Sequence, residues 1–418
     1  MSGASKDALE QVVREEWGRL TALLLARYRR LDLVEDALGD AVEAAARTWP
    51  ADGVPDNPAA WLNTAASRRV LDRLRAEAMR QRRGPLLLTE AERGQERTVV
   101  MADTGDLVED DVLRLVLMCT HPALAPEAAS ALALRLVLGV STHDVARLFL
   151  VPEPTMAARI TRAKKKIVAA GIPFSVPRAD VLPDRLDTVA QTAYLAFTAG
   201  YAPGSGADLL RADLAGEAVR LVRVVLSLRP TEPVLVALLA LMLFQHSRRD
   251  ARVGADGGLV LLADQDRSRW HTEEVEEAVR LLRTLGPARV VTQQCAAYVV
   301  QARIAAEHAT AETAANTRWD RIVGHYDVLL QIMPSPAARL GRAVALAEAE
   351  GPRAGLTALD DVHLPGSHRP AAVRAELLVR AGSASEAREA FREAIALCRN
   401  EAELHYLRER LAALATSD

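Results

Sequence analysis

The stretch STHDVARLFLVPEPTMAARITRAKKKIV, residues 141–168, leaves few choices of local structure. Ser141 can cap a short helix over 142–149, with Asp144 three residues on in its first turn. Pro152 and Pro154 then allow only a turn or the first turn of a second helix. In that helix Met156, Ile160, Ala163 and Ile167 fall at i, i+4, i+7 and i+11, on one face. Thr161, Arg162, Lys165 and Lys166 lie opposite, with Arg159 on the flank. An apolar stripe with a basic outer face is the layout of a helix–turn–helix whose second helix enters a DNA major groove. The competing interpretation is a solvated amphipathic helix pair in an all-α protein. The glycine common in such turns is absent, because the turn reads Phe149-Leu150-Val151-Pro152.

Charge decides where a polyanion can bind. The 418 residues carry a net charge of −3, so any nucleic-acid site is a local patch. Two patches exist. Arg68, Arg69, Arg73, Arg75, Arg80, Arg82 and Arg83 form one, and the basic helix above forms the other. The length suits two or three domains. The chain is 50% hydrophobic but only 4% aromatic, and a bias toward Ala, Leu, Arg and Glu favours helices. Cys119, Cys295 and Cys398 form no CxxC pair, which suits a reduced cytosolic protein without disulfides. The start, MSGASKDALEQVV, lacks a signal-peptide layout, and the longest apolar run, 234–244, is too short to span a bilayer. The expectation is a soluble cytoplasmic protein without membrane contact.

In chain order, 7–30 reads as an amphipathic helix with Leu9, Val12, Val13, Trp17, Leu20, Leu23 and Leu24 on one broad face. A helix over 33–49 carries Glu35, Asp36, Asp40 and Glu43. Pro, Gly and Asx residues make 50–58 a loop. A helix over 59–83 opens with Trp61, Leu62 and Ala65 and ends in the arginine cluster. Residues 84–107 show no sustained period and read as a linker. Val112, Leu115, Val116 and Met118 share the next helix, and another runs over 126–138 to Gly139. Cys119 and His121 lie two apart, as core residues rather than a zinc pair.

Pro173, Pro177 and Pro183 mark a boundary. Helices are then expected at about 184–198, 206–228, 231–246, 272–285, 287–308, 316–332, 336–349, 353–361, 369–381, 385–398 and 401–415. Ala387, Phe391 and Ala394 stand where a tetratricopeptide (TPR) repeat places its small–aromatic–small positions, and Ser383 with Glu386 suggests a capping box. Such stacks offer a concave surface to a peptide or protein segment. Two loops stand out, TAGYAPGSG at 198–206 and GADGGLVLLADQDRSRWH at 254–271. In the second, Asp264, Asp266, Arg267, Arg269 and Trp270 crowd together. They suit an ion-pair network or a contact surface; no His or Glu at ligand spacing supports metal or acid–base chemistry. No cofactor and no enzyme activity is expected.

The segments DLVEDALGDAVEAAARTWP (32–50), DGVPDNPAAWLNTAASRRVLDRLR (52–75) and HPALAPEAASALALRLVLGVSTHDVARLFLVPEPTMAARITRAKKKI (121–167) together resemble a bacterial extracytoplasmic-function sigma factor of the sigma-70 family. The subgroup it resembles carries a C-terminal TPR-like helical extension. That resemblance implies an all-α chain: a sigma-2-like domain at 1–83, a linker at 84–108, a sigma-4-like helix–turn–helix domain at 109–172 and a TPR-like domain at 173–418. It also implies a transcription initiation factor that binds core RNA polymerase, through the β′ clamp and the β subunit, and promoter DNA. Asp36 and Asp40 match the positions that dock on the polymerase clamp. Asp56, Asn57, Trp61, Arg68, Arg69 and Arg73 match the −10 region, where Asn57 and the Asp56 backbone would hold a flipped base. Trp61 either stacks there or packs in the core. Thr155, Ala158, Arg159, Arg162, Lys165 and Lys166 would face the −35 element, with Lys164 on phosphates or simply solvated. Glu90, Glu92, Glu96, Asp103 and Asp106 in the linker would mimic nucleic-acid charge or form an ordinary spacer. Residues 264–270 would belong to a regulatory loop, and the C-terminal domain would regulate in cis. Gly39 and Val42 depart from the family, which has Gln and Phe there. They motivate the alternative, a TPR-like interaction adaptor with a degenerate sigma-like module.

Overall fold

Helix-forming residues at three- and four-residue spacing dominate this sequence, and the computed structural model is all-α among the described residues. It describes residues 3–81, 105–149, 151–201, 212–254, 258–286 and 292–415. Linker residues Glu90, Glu92, Glu96 and Asp103, the arginines Arg82 and Arg83, and parts of the 198–206 and 254–271 loops lie outside these. The chain divides into two compact units, Met1–Thr192 and Ala193–Asp418.

The first unit begins with α1 (Gly3–Tyr28), α2 (Leu31–Asp52) and α3 (Pro58–Gln81). Their apolar stripes meet in one core of Leu9, Trp17, Leu20, Leu24, Val34, Leu38, Trp49, Leu62 and Val70. The break between α1 and α2 falls at Arg29, which takes a left-handed φ of 54°. α2 runs three residues past Trp49, through Pro50, before Gly53 stops it at φ 86°. A proline is tolerated there because the final turn is closed by the Gly53 amide donating to Trp49 O at 3.0 Å.

Next come α4 (Gly105–Cys119), α5 (Pro126–Leu136), α6 (Thr142–Leu148) and α7 (Glu153–Ala169). α4 lies along α1, so the two halves of this unit are packed together rather than held apart. Two glycines make the approach possible. A Cβ on Gly18 of α1 would stand 2.3 Å from the Val137 carbonyl oxygen, and one on Gly139 would stand 2.6 Å from the Trp17 ring. Gly139 also takes φ 74°, which ends the α5 segment in a left-handed turn.

Helix α8 (Leu182–Tyr201) crosses the division between the units. Its first half is tied into the first unit by Arg185, which donates to Leu117 O at 2.5 Å, and by the Thr192 carbonyl, which accepts from Ser130 Oγ at 3.0 Å. The second unit continues with α9 (Ala212–Leu228), α10 (Pro233–His246), α11 (Thr272–Arg283) and α12 (Gln293–Ala309). The apolar run 234–244 is the middle of α10, buried all round as the central helix of this unit.

Successive helices then stack in antiparallel pairs: α13 (Trp319–Ile332), α14 (Pro336–Glu350), α15 (Pro352–Leu359), α16 (Arg369–Arg380), α17 (Ala384–Leu397) and α18 (Glu401–Ala415). Ala387, Phe391 and Ala394 are fully buried at a helix seam, as the TPR-like pattern requires. The expected Ser383 cap does not form. Ser383 adopts φ −96°, ψ 67°, outside the extended region from which an N-cap side chain reaches the first-turn amides, and it makes no capping hydrogen bond. Among the described residues the β pairing is confined to a single bridge, Val253 to Leu259. No helix among them is long and apolar enough to cross a membrane.

Candidate nucleic-acid interface

Capping builds the α6–α7 pair as its sequence implies. Ser141 Oγ accepts from the Asp144 amide at 3.0 Å and donates to the Asp144 carboxylate at 2.6 Å. Pro152 is the N-cap of α7, with φ −56° and ψ 141°. The Val151 amide donates to Ala146 O at 3.1 Å and closes the turn without a glycine. His143 and Glu153 pair across the two helices at 3.0 Å.

Met156, Ile160, Ala163 and Ile167 are all buried, which orients the rest of α7. Thr155, Thr161, Arg162, Lys165 and Lys166 are exposed, and Ala158 and Arg159 are half-buried at the edge of that face. No carboxylate among the described residues pairs with Arg159, Arg162, Lys165 or Lys166. An outward cationic face without internal counter-charge keeps its whole charge for phosphates and base edges.

Lys164 behaves differently. It turns inward, half-buried, to the carboxylate of Glu35 on α2. The same carboxylate accepts from Arg135 Nε at 2.8 Å, and the Arg135 guanidinium lies 5.2 Å from the Trp17 ring centroid. Glu35, Arg135, Lys164 and Trp17 therefore join the two halves of the unit. The sequence names Glu35 only as one of the acids of α2 and puts Lys164 on phosphates or in solvent. Glu35 falls four residues after Leu31 and three before Leu38, on the inward face of α2, and that register is the signal that could have found the junction.

The acids and arginines of α2 and α3 meet each other. Asp40 accepts from Arg73 at 2.9 Å and from Arg69 at 3.5 Å, and Asp36 stands 3.3 Å from Arg73. Asp36 and Asp40 are one turn apart on α2, as Arg69 and Arg73 are on α3, so two i, i+4 rows face each other. The expected polymerase-docking acids and two of the expected promoter arginines thus neutralise one another here. Arg68 is exposed. Asn57 Oδ1 accepts from the Ala60 amide at 3.0 Å and caps α3, while Asp56 beside it is exposed. Trp61 is half-buried, edge-on to Trp49 with centroids 5.6 Å apart, so it is part of the core rim.

The 264–270 residues do not converge on one point. Asp266 accepts from the Ser268 amide at 2.9 Å and from its hydroxyl at 2.7 Å, and these bonds hold its carboxyl below the usual range. Arg267 donates to the carbonyls of His308 and Ala311 at 2.9 and 2.8 Å, at the end of α12, and its guanidinium stacks 4.5 Å from the buried Trp270 ring. Asp264 and Arg269 are exposed. The loop fastens a helix end and offers no joint ligand position for Asp264 and Asp266. Cys119 is fully buried, and His121 Nδ1 accepts from the Ala123 amide at 3.2 Å, so neither is arranged as a zinc ligand pair.

Comparison with known proteins places this geometry. Residues 114–167, from within α4 through α5 and α6 to near the end of α7, match the Sigma-70, region 4 family. Residues 185–285 match a family of unknown function, DUF6596. An uncharacterized protein of Rhizobium meliloti (strain 1021) is 40% identical over 400 residues, covering 94% of this chain and 92% of that one. The chain belongs to the family of that protein. Two solved structures also align along most of its length. The P58(IPK) TPR domain is 12% identical and covers 92% of this chain and 98% of that chain, with a TM-score of 0.26. Yeast Tom70 is 11% identical and covers 99% and 84%, with a TM-score of 0.34. At those scores neither likeness bears on the fold, which rests on the helix pairs described above.

Proposed function

We propose that this protein is a sigma-70-type transcription initiation factor of the extracytoplasmic-function group, acting in the cytoplasm with core RNA polymerase. The observation that carries the reading is the uncompensated cationic face of α7, on the segment that matches Sigma-70 region 4. Thr155, Ala158, Arg159, Arg162, Lys165 and Lys166 then face the −35 element. An arginine bidentate to guanine contributes about 1–3 kcal/mol of discrimination, whereas the lysines add affinity without sequence preference. Asp36 and Asp40 dock on the polymerase clamp. Asp56, Asn57 and Arg68 act at the −10 region, joined by Arg69, Arg73 and the exposed edge of Trp61. The helical second unit, with its 264–270 loop, regulates in cis, and the chain performs no catalysis of its own.

The mutual pairing of Asp36 and Asp40 with Arg69 and Arg73 favours a second reading, an interaction adaptor whose promoter-melting face is silent. Run-off transcription with purified core polymerase and a genomic promoter library separates the two. The full chain yields promoter-dependent transcripts and Arg162→Glu yields none; an equal background from both proteins supports the adaptor.

A further inference from the structure

Three side chains with metal-binding chemistry come together in the last helix pairs of the second unit. His368 is the N-cap of α16, Cys398 the C-cap of α17, and Glu403 sits in the first turn of α18. One imidazole nitrogen, the thiol sulfur and one carboxylate oxygen all lie within 4.8 Å of one another. Among the described residues no other group of three such side chains does so.

The backbone holds these positions firmly. Asn400 Oδ1 caps α18 by accepting from the Ala402 and Glu403 amides, both at 3.1 Å, and the Asn400 carbonyl lies 3.4 Å from Cys398 Sγ. Glu403 Oε2 stands 3.0 Å from His368 Nε2, so two of the three groups already face each other at the point where a shared ion would sit.

We propose that His368, Cys398 and Glu403 form a binding site for a divalent cation of the zinc class. Thiolate and imidazole ligands select zinc and its neighbours over magnesium and calcium, which take oxygen. Around one tetrahedral ion at about 2.0–2.3 Å from each ligand, the donor atoms stand about 3.3–3.7 Å apart, so small side-chain rotations suffice. Binding exchanges protons for the metal: the Cys398 S–H bond breaks as the S–metal bond forms, any proton on the ligating His368 nitrogen leaves as well, and both pass to water. The His368 and Glu403 side chains are 14% and 22% exposed, which leaves the fourth position to solvent. The ion ties the ends of α16, α17 and α18 together, so the seating of the last helix depends on metal.

The full chain, stripped with a chelator and titrated with Co²⁺, tests this. One equivalent should produce a thiolate-to-cobalt charge-transfer band that Zn²⁺ displaces. Cys398→Ser should abolish the band, and His368→Gln and Glu403→Gln should each weaken binding by about tenfold or more. Zn²⁺ should raise the unfolding midpoint of the wild type by about 5 °C and leave Cys398→Ser unmoved. No band at stoichiometric cobalt, or a band that survives Cys398→Ser in a protein with unchanged circular dichroism, overturns the proposal.

Discussion

The Glu35 carboxylate accepts a hydrogen bond from Arg135 Nε at 2.8 Å across 100 residues of sequence. The Glu35 and Arg135 side chains are only 8% and 18% exposed, and Lys164 shares the carboxylate. Arg135 also reaches the Val140 carbonyl at 3.3 Å, in the turn that leads to α6. One acid on α2 therefore anchors both the base of the helix–turn–helix and its second helix.

Removing that acid leaves two half-buried cations without a partner. Glu35→Gln should cost about 2–4 kcal/mol, toward the low end of buried-pair losses because Arg135 and Lys164 retain some water. Thermal unfolding of the full chain should show a lower midpoint. A triple Glu35→Leu, Arg135→Met, Lys164→Met variant, which removes all three charges, should recover most of the loss. Equal destabilisation by the single and triple variants would mean that the ion pairs are not the cause.

Asp40 restrains Arg73 and Arg69 at a half-exposed site, so its effect on stability is small. Asp40→Asn should change stability by less than about 1 kcal/mol. It should raise affinity for single-stranded DNA and steepen the salt dependence, because Arg69 becomes available to phosphates while Arg73 keeps only Asp36. Fluorescence anisotropy at several salt concentrations reads both. On the sigma-factor reading the same change weakens co-purification with core polymerase.

The outward face of α7 separates base reading from phosphate contact. Arg162→Ala should cost about 1–3 kcal/mol against the preferred promoter and little against scrambled DNA. Lys165→Ala and Lys166→Ala should weaken both equally and lower the salt slope by about 1 each. Met156→Ala, on the opposite face, should act through folding instead, with a loss of about 2–5 kcal/mol in stability.

Burial, with Arg248 and Arg267 nearby, pushes the His308 imidazole down to about 4. Its unfolded value is about 6.5, so below that pH the unfolded chain binds a proton that the folded chain refuses. The stability contributed is fully present above about 6.5 and is lost as pH falls toward about 4, on the order of 2 kcal/mol by pH 5. His308→Gln should flatten the difference in unfolding midpoint between pH 7 and pH 5. An unchanged difference would assign the pH dependence to other groups.

Helix positions, the buried stripe of α7 and the Ser141 cap were legible in the amino-acid order, because each depends on neighbours within one or two turns. The 3.6-residue period places Met156, Ile160, Ala163 and Ile167 inward whatever surrounds them, and the outward basic face follows. The pairing of charges was not legible. Asp40 with Arg73, Glu35 with Arg135 and Lys164, and His368 with Cys398 and Glu403 each join residues on different helices. Ion pairing and ligation leave no periodic trace in a sequence: any acid can meet any base that packing brings within about 4 Å. Sequence by itself determined which surfaces are apolar and therefore inside. Only the tertiary structure decided which charges are spent on one another and which stay free for a partner.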